Sequence, residues 1–212
     1  MACRALLLLA LAPACTLYFD GDDPEPEPDP ASTPEGPPDS IGSTEKRVFV
    51  TTAMFRGGGL GGLEGADEKC NQHARRGNLT GTYRAWLSDA NTSAEARMSK
   101  SARDYQLVSG EVVAHGWDDL VDGELLHAID RTEMGLKHSA PPTCMAIEAT
   151  WTGTNGDGSR AFSNAWDNFC GNWTNTGSSG LLGNIAQAGT NWSHSGCTMP
   201  CTSNAALYCV EQ

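Results

Sequence analysis

The amino-acid sequence predicts an α+β domain with long loops, stapled by disulfides and preceded by an unfolded linker. Three observations lead to this fold class. The 212 residues include eight cysteines, which in so short a chain indicate an oxidising compartment. Short β-branched and aromatic runs occur together with stretches of helical periodicity. Prolines and acids are concentrated in one N-terminal segment.

The N-terminus is predicted to be a secretory leader. Residues 1–14 combine a short basic start with an apolar run that is too short to span a bilayer. The small residues up to Ala14, followed by Cys15, resemble a bacterial lipobox. We therefore expect Cys15 to become the lipidated first residue of the mature protein. Ordinary signal cleavage near Ala14, which would leave a free thiol, is the alternative.

Residues 15–43 are predicted to be an extended tether. Eight acids and seven prolines lie within residues 20–39, with no Lys or Arg among them, so this segment should be unfolded. Most of the net charge of −12 comes from it, because residues 44–212 carry 18 acids and 13 bases. This acidic balance argues against a nucleic-acid partner, which would need a basic face.

The first elements of the domain follow from local patterns. Residues 47–52 are β-branched and aromatic and predict a strand, which Gly57–Gly59 interrupts. Apolar residues at spacings of three and four then predict a helix with one buried face, made of Leu63, Ala66, Cys70 and Ala74. Residues 82–87 predict a second strand.

A capping box, Thr92-Ser-Ala-Glu95, predicts a short helix that ends near Lys100. Residues 105–108 and 111–114 predict a hairpin around the Ser109-Gly110 turn.

The C-terminal part of the domain contains two more predicted strands, at residues 145–151 and 206–210. Residues 152–205 between them are rich in Gly, Asn, Ser, Thr and Trp and show little periodicity. We expect this region to form long ordered loops held by disulfides.

Six cysteines belong to the domain, namely Cys70, Cys144, Cys170, Cys197, Cys201 and Cys209. Their even number in an exported domain suggests three disulfides, for which 15 pairings are possible. Zinc binding competes with this interpretation because Cys197 and Cys201 have ligand-like spacing. No matching Cys/His pair stands at zinc-finger distance from them.

Several motifs occur in an order that resembles a known family. They are Val48–Thr52, Gly58–Cys70, Gly81–Asp89, Trp151–Gly158, Cys170–Trp173 and Cys201–Gln212. Over residues 46–212 the chain resembles a bacterial lipoprotein domain of unknown function that is related to endostatin. The resemblance implies a C-type-lectin-like fold.

The resemblance also implies the disulfide pairs Cys70–Cys209 and Cys170–Cys201, which leaves Cys144 and Cys197 to pair. Some endostatin-like bacterial proteins bind matrix or complement components, whereas animal relatives bind heparin and zinc. Neither heparin nor zinc is carried over to this chain. Residues 151–205 contain only Arg160 as a base, and the domain has no histidine before His73.

A calcium site is one hypothesis for the loop region. Asn155 and Asp157 place oxygen ligands at alternate positions, and Asp167 and Asn168 would add further oxygens. The alternative is turn chemistry, because Asn and Asp also cap their own loops.

Glycan binding is a second hypothesis for the same region. Trp166, Trp173 and Trp192 lie among amide residues that include Asn172 and Asn191, and such aromatic faces stack on sugars. The alternative is that each tryptophan fills the core beneath a loop. Trp192 is the one most expected to be exposed.

Together these patterns predict an exported, lipid-anchored surface protein at the outer membrane or cell surface. Its domain would bind a glycan or an extracellular protein through residues 152–205. The sequence has no nucleophile elbow, no His-Glu-x-x-His motif and no phosphate-binding loop, so catalysis is not expected. A structural envelope lipoprotein without a soluble ligand, or a hydrolase, are the alternatives.

Overall fold

The computed structural model describes residues 44–141, 144, 147–162 and 167–212. The predicted leader, Cys15, the tether, residues 145–146 and Trp166 lie outside these residues. The helices are α1 (Gly62–Arg76), α2 (Ala94–Arg97) and α3 (Trp117–Leu120). The strands are β1 (Lys46–Val50), β2 (Phe55–Arg56), β3 (Tyr83–Ala85), β4 (Tyr105–Leu107), β5 (Val112–Ala114), β6 (Ala149–Trp151), β7 (Ser179–Asn184), β8 (Cys197–Pro200), β9 (Asn204–Ala205) and β10 (Tyr208–Glu211).

A mixed five-stranded sheet in the order β3-β10-β1-β4-β5 forms the centre of the domain. Its middle strand, β1, pairs antiparallel with β10 and parallel with β4. The strand and hairpin predictions for this sheet are confirmed. The first and last strands of the domain therefore lie side by side, although about 160 residues separate Val48 from its partner Val210.

Alternation along β1 divides the core into two clusters. Phe49 points to the face that α1 covers, while Val48 and Val50 point to the opposite face. All three side chains are fully buried. A strand covered on both faces needs a continuous apolar run, which explains why this segment is readily identified from sequence.

Helix α1 covers one face of the sheet through the residues that its periodicity predicts. Ala66, Cys70 and Ala74 are buried, whereas Leu63 is only partly covered. The helix packs mainly against β3 and begins after Gly61, a left-handed residue (φ 84°). Glycine adopts this conformation without the steric cost that a side chain would add.

The capping residue of α2 differs from the prediction. Ser93, not Thr92, is the N-cap, and its Oγ accepts a hydrogen bond from the Ala96 amide at 3.1 Å. Glu95 instead forms an ion pair with Lys100. The helix is therefore shifted by one residue from the predicted capping box and ends at Arg97.

Residues 152–205 are more regular than predicted. Strands β6, β7 and β8 form an antiparallel sheet, and β2 pairs with β9. Glycine explains why β7 is not apparent in the sequence: a Cβ at Gly180 would lie 2.8 Å from the Cys170 Sγ. Packing this close requires glycine in the strand, so β7 has fewer of the β-branched and aromatic residues by which a strand is recognised in a sequence.

Three disulfides join the domain cysteines. Cys70–Cys209 and Cys170–Cys201 are the pairs that the resemblance implies, and Cys144–Cys197 is the pair that these two leave. The thiols of Cys197 and Cys201 are thus not available to zinc. Next to one bridge, residues Cys170–Trp173 all have positive φ, between 49° and 62°, and form a left-handed turn. In the part of the chain described here, every helix is too short or too polar to cross a lipid bilayer.

Candidate ligand-binding site

An open polar pocket of about 380 Å³ lies between two loops of the predicted binding region. One wall is the turn after β6, which contributes Asn155 and Gly156. The other wall is the segment between β7 and β8, which contributes Thr190, Asn191, His194, Ser195 and Gly196.

His194 connects the two walls. Its Nδ1 donates to the Asn155 Oδ1 at 2.8 Å, and the Asn155 Nδ2 donates in turn to the Ser159 Oγ at 2.9 Å. Although His194 reaches the surface, the surrounding loops remove part of its hydration and lower its pKa below the ordinary value, which favours the neutral imidazole. With its proton on Nδ1, the ring presents Nε2 as a hydrogen-bond acceptor.

A buried serine fixes both loops beneath the pocket. The Ser193 Oγ accepts from the Trp86 indole at 2.8 Å and donates to the Thr154 carbonyl at 2.9 Å. The Thr152 hydroxyl donates to the Ser193 carbonyl at 2.6 Å. Because these groups are buried and satisfied, they hold the two walls in one arrangement.

The structure contradicts the expectation that Trp192 is exposed. Its side chain is 1% accessible and packs against Trp86 and Tyr208, with ring centroids 5.1 and 5.7 Å apart. Trp173 is likewise fully buried, and its indole donates to the Ser88 carbonyl. Both tryptophans follow the alternative interpretation, in which aromatics fill the core under loops.

The two predicted asparagines have different environments. Asn191 is exposed and lines the pocket, whereas Asn172 is half-buried and its Oδ1 accepts from the Ala90 amide at 3.0 Å. Of the predicted glycan-binding residues that the structure describes, only Asn191 therefore belongs to this pocket.

The four residues of the calcium hypothesis are engaged in hydrogen bonds within the domain. Asp157 accepts from the Ser159 amide and hydroxyl, and Asp167 accepts from the Phe169 and Gly171 amides. The Asn155 Oδ1 is occupied by His194, as noted above. Asn168 is buried and donates to the Ala161 carbonyl at 2.7 Å.

These contacts are the turn chemistry of the alternative interpretation. Within the described ranges, no cluster of three or more His, Cys, Asp or Glu side chains is arranged to hold a metal ion. The calcium hypothesis remains a prediction.

A larger depression of about 470 Å³ lies at the start of α1, but both of its arginines are engaged in contacts within the fold. Arg97 is paired with Asp67 at 2.5 Å and also donates to the Ala85 carbonyl at 2.8 Å. Arg84 donates to the Arg97 carbonyl. These contacts tie α2 to α1 and β3, and they make this depression a structural junction.

One ionisable pair was not apparent in the sequence. The His73 Nδ1 donates to the Glu133 Oε1 at 2.6 Å, and both side chains are 4% exposed. The Thr52 amide donates to the other carboxylate oxygen at 2.9 Å. Burial acts to raise the pKa of Glu133, but these hydrogen bonds outweigh it and leave the pKa below its ordinary value.

The sequence signal for the pocket is weak. His194 ends the run Thr190-Asn-Trp-Ser-His194, and a lone histidine in a polar loop does not by itself indicate a binding site. In this run the polar residues Thr190, Asn191 and His194 line the pocket, while Trp192 and Ser193 are buried. A Trp-Ser pair between polar residues is the local sequence pattern that could have indicated the pocket.

Comparison with protein families supports the architecture. The family model described as Collagenase NC10 and Endostatin matches residues 49–212, from β1 to the end of the chain. The matched part includes both walls of the pocket and all three disulfides.

Proposed function

Since the chain belongs to the endostatin family, whose fold is C-type-lectin-like, we propose that it is a ligand-binding protein of the cell envelope and not an enzyme. Its domain binds a glycan or an extracellular protein through the loops between β6 and β9. A hydrolase finds no support in the His73–Glu133 pair, because both side chains are buried beneath the surface.

The single observation that carries this proposal is the polar pocket on a rigid base. Asn191 and His194 are exposed at the surface, while Ser193 between them is fixed by buried hydrogen bonds. A binding surface whose polar groups are already positioned loses less entropy when a ligand arrives.

The location of the domain is the second part of the proposal. Lipidation of Cys15 would anchor the protein at the outer membrane or cell surface, and residues 15–43 would hold the domain away from the lipid. A Cys15→Ser variant should leave the membrane fraction, which quantitative blotting of cell fractions would measure. Unchanged partitioning would contradict the anchor.

The decisive experiment for binding is a screen of the oxidised full-length chain on an array of glycans and matrix proteins. It is run once with calcium and once with chelator. A saturable signal in both conditions supports a metal-independent binding domain, and a signal lost in chelator supports the calcium hypothesis. No signal on any glycan or protein would favour the structural envelope lipoprotein.

A further inference from the structure

The pocket between Asn155 and His194 has an uncharged lining. It consists of amide, hydroxyl and imidazole groups together with two glycines, Gly156 and Gly196. Among the described residues, no Lys, Arg, Asp or Glu lines it. A ligand that carries a net charge would find no opposite charge here to replace its hydration.

Acidic residues stand close to one edge of the pocket. Gly123 lies between Asp122 and Glu124, and a Cβ at Gly156 would be 3.1 Å from its Cα. A Cβ at Gly123 would in turn lie 3.6 Å from the Thr190 Cγ2. On the turns that border the pocket, Asp122, Glu124 and Asp157 are acidic, and Arg160, whose carbonyl accepts from the Asn155 carboxamide, is basic. The balance of charge beside the pocket is therefore negative, and it disfavours a sulfated or carboxylated ligand.

Three side chains of the pocket keep hydrogen-bonding capacity that the described part of the chain does not use. The Thr190 hydroxyl and the Asn191 carboxamide have no partner there. His194 uses only Nδ1, which leaves Nε2 as an acceptor. A hydroxyl, a carboxamide and a neutral imidazole can together donate to and accept from ligand hydroxyl groups.

We infer, on the basis of the proposed function, that this pocket binds the hydroxyl groups of a neutral saccharide through Thr190, Asn191 and His194. Sugar hydroxyls match the mixed donors and acceptors of these side chains, and a neutral sugar avoids repulsion from the neighbouring acids.

The lack of an aromatic side chain in the described lining of the pocket should keep the affinity for a single sugar low. Within the described residues its lining has no Trp, Tyr or Phe, since Trp192 is packed in the core. A sugar therefore gains hydrogen bonds but no stacking on its apolar face. We expect millimolar affinity for a monosaccharide, with tighter apparent binding when several chains on one surface meet a repeating glycan.

The test uses the oxidised full-length chain labelled with ¹⁵N. It is titrated with neutral methyl hexosides. The binding of methyl β-D-glucopyranoside is compared with that of methyl β-D-glucuronide, in which a carboxylate replaces the hydroxymethyl group. We expect a neutral hexoside to shift the amides of residues 155–156 and 190–196, and the glucuronide to bind more weakly than its neutral partner. Asn191→Ala and His194→Ala should each weaken neutral binding at least tenfold.

Asn204→Ala and His127→Ala are the matched controls, because both residues are exposed and neither lines the pocket. Shifts confined to other residues, or equal binding by the Asn191 and His194 variants, would overturn this inference and leave the proposed binding function intact. Tighter binding of the glucuronide would overturn the neutral class. If the array identified a protein ligand and no saccharide shifted the amides, this inference alone would be overturned. If neither experiment detected binding, both proposals would be overturned.

Discussion

A buried hydrogen bond between two distant residues, His73 and Glu133, ties three parts of the chain together. Glu133 accepts hydrogen bonds from His73 on α1 and from the Thr52 amide just after β1. Removing the carboxylate deprives the buried imidazole and the Thr52 amide of this acceptor. Because two hydrogen bonds to a charged carboxylate are lost, we expect Glu133→Ala to lower the free energy of unfolding by about 3–5 kcal/mol, as measured by urea denaturation.

The control Glu133→Gln keeps an acceptor oxygen and should cost less than Glu133→Ala. An equal loss in both variants would show that charge, and not hydrogen bonding, is what the site requires. A loss below about 1 kcal/mol in Glu133→Ala would contradict the structural role of the pair.

The lowered pKa of Glu133 also makes the stability of the domain depend on pH. The folded-state pKa of Glu133 is lowered, so the stability that it contributes is fully present above the unfolded-state pKa. That contribution is lost as the pH falls from near 4.5 through the folded-state pKa. Wild-type stability should therefore decline more steeply below pH 4.5 than the stability of Glu133→Gln. Parallel curves would contradict this assignment.

Burial of single residues was predictable from sequence only where it follows a period. The β1 side chains alternate, and those of α1 recur at helical spacing, so their inward faces are identified correctly. His73 and Glu133 are 60 residues apart, and no local pattern connects them. The prediction that Trp192 is exposed is wrong because amide neighbours are typical both of a sugar-binding site and of a loop that closes over a buried aromatic side chain.

At the scale of single elements, the cap of α2 allows a direct test of the shifted helix start. Ser93 accepts a hydrogen bond from the Ala96 amide, while the Thr92 side chain forms none in the described residues. Ser93→Ala should lower the free energy of unfolding by about 1 kcal/mol. Thr92→Ala should change it by less than about 0.5 kcal/mol. The opposite order in urea denaturation would restore the predicted capping box.

The left-handed turn Cys170–Trp173 is the most strained element of the described chain. Cys170, Asn172 and Trp173 have side chains, and in each of them a positive φ brings the Cβ too close to the backbone. Asn172 tolerates this conformation better than alanine does, and its Oδ1 also accepts from the Ala90 amide.

Asn172→Ala and Asn172→Gly separate these two effects, because both remove the hydrogen bond and only glycine relieves the backbone. We expect the alanine variant to be less stable than the glycine variant by about 1–2 kcal/mol in urea denaturation. Equal stabilities would show that the turn relaxes when Asn172 is truncated.

Elements were predictable where their own side chains define them. The central sheet and α1 contain apolar runs of clear period, and their predictions are confirmed. The turn at residues 170–173 and strand β7 are defined by what packs against them. Gly180 leaves room for Trp151 and the Cys170 sulfur, so the cause of the strand lies in other parts of the sequence.

At the scale of the whole molecule, the disulfides close loops of very different lengths. Cys70–Cys209 links α1 to β10 across 139 residues, whereas Cys170–Cys201 spans only 31 residues within the loop region. In the chain-entropy account, the longer loop restricts the unfolded chain more. The outer bridge should therefore stabilise the whole domain, while the inner bridge holds the left-handed turn and β7 beside the binding loops.

Replacing each pair by alanine distinguishes these roles. We expect Cys70→Ala/Cys209→Ala to lower the free energy of unfolding by about 5 kcal/mol and Cys170→Ala/Cys201→Ala by about 4 kcal/mol. Calorimetry and urea denaturation would measure the difference. Amide shifts in the inner variant should be concentrated in residues 170–184, since the sheet around β1 does not depend on that bridge. If the inner variant lost more stability than the outer one, strain or packing in the loop region, and not loop length, would govern how the disulfides stabilise this domain.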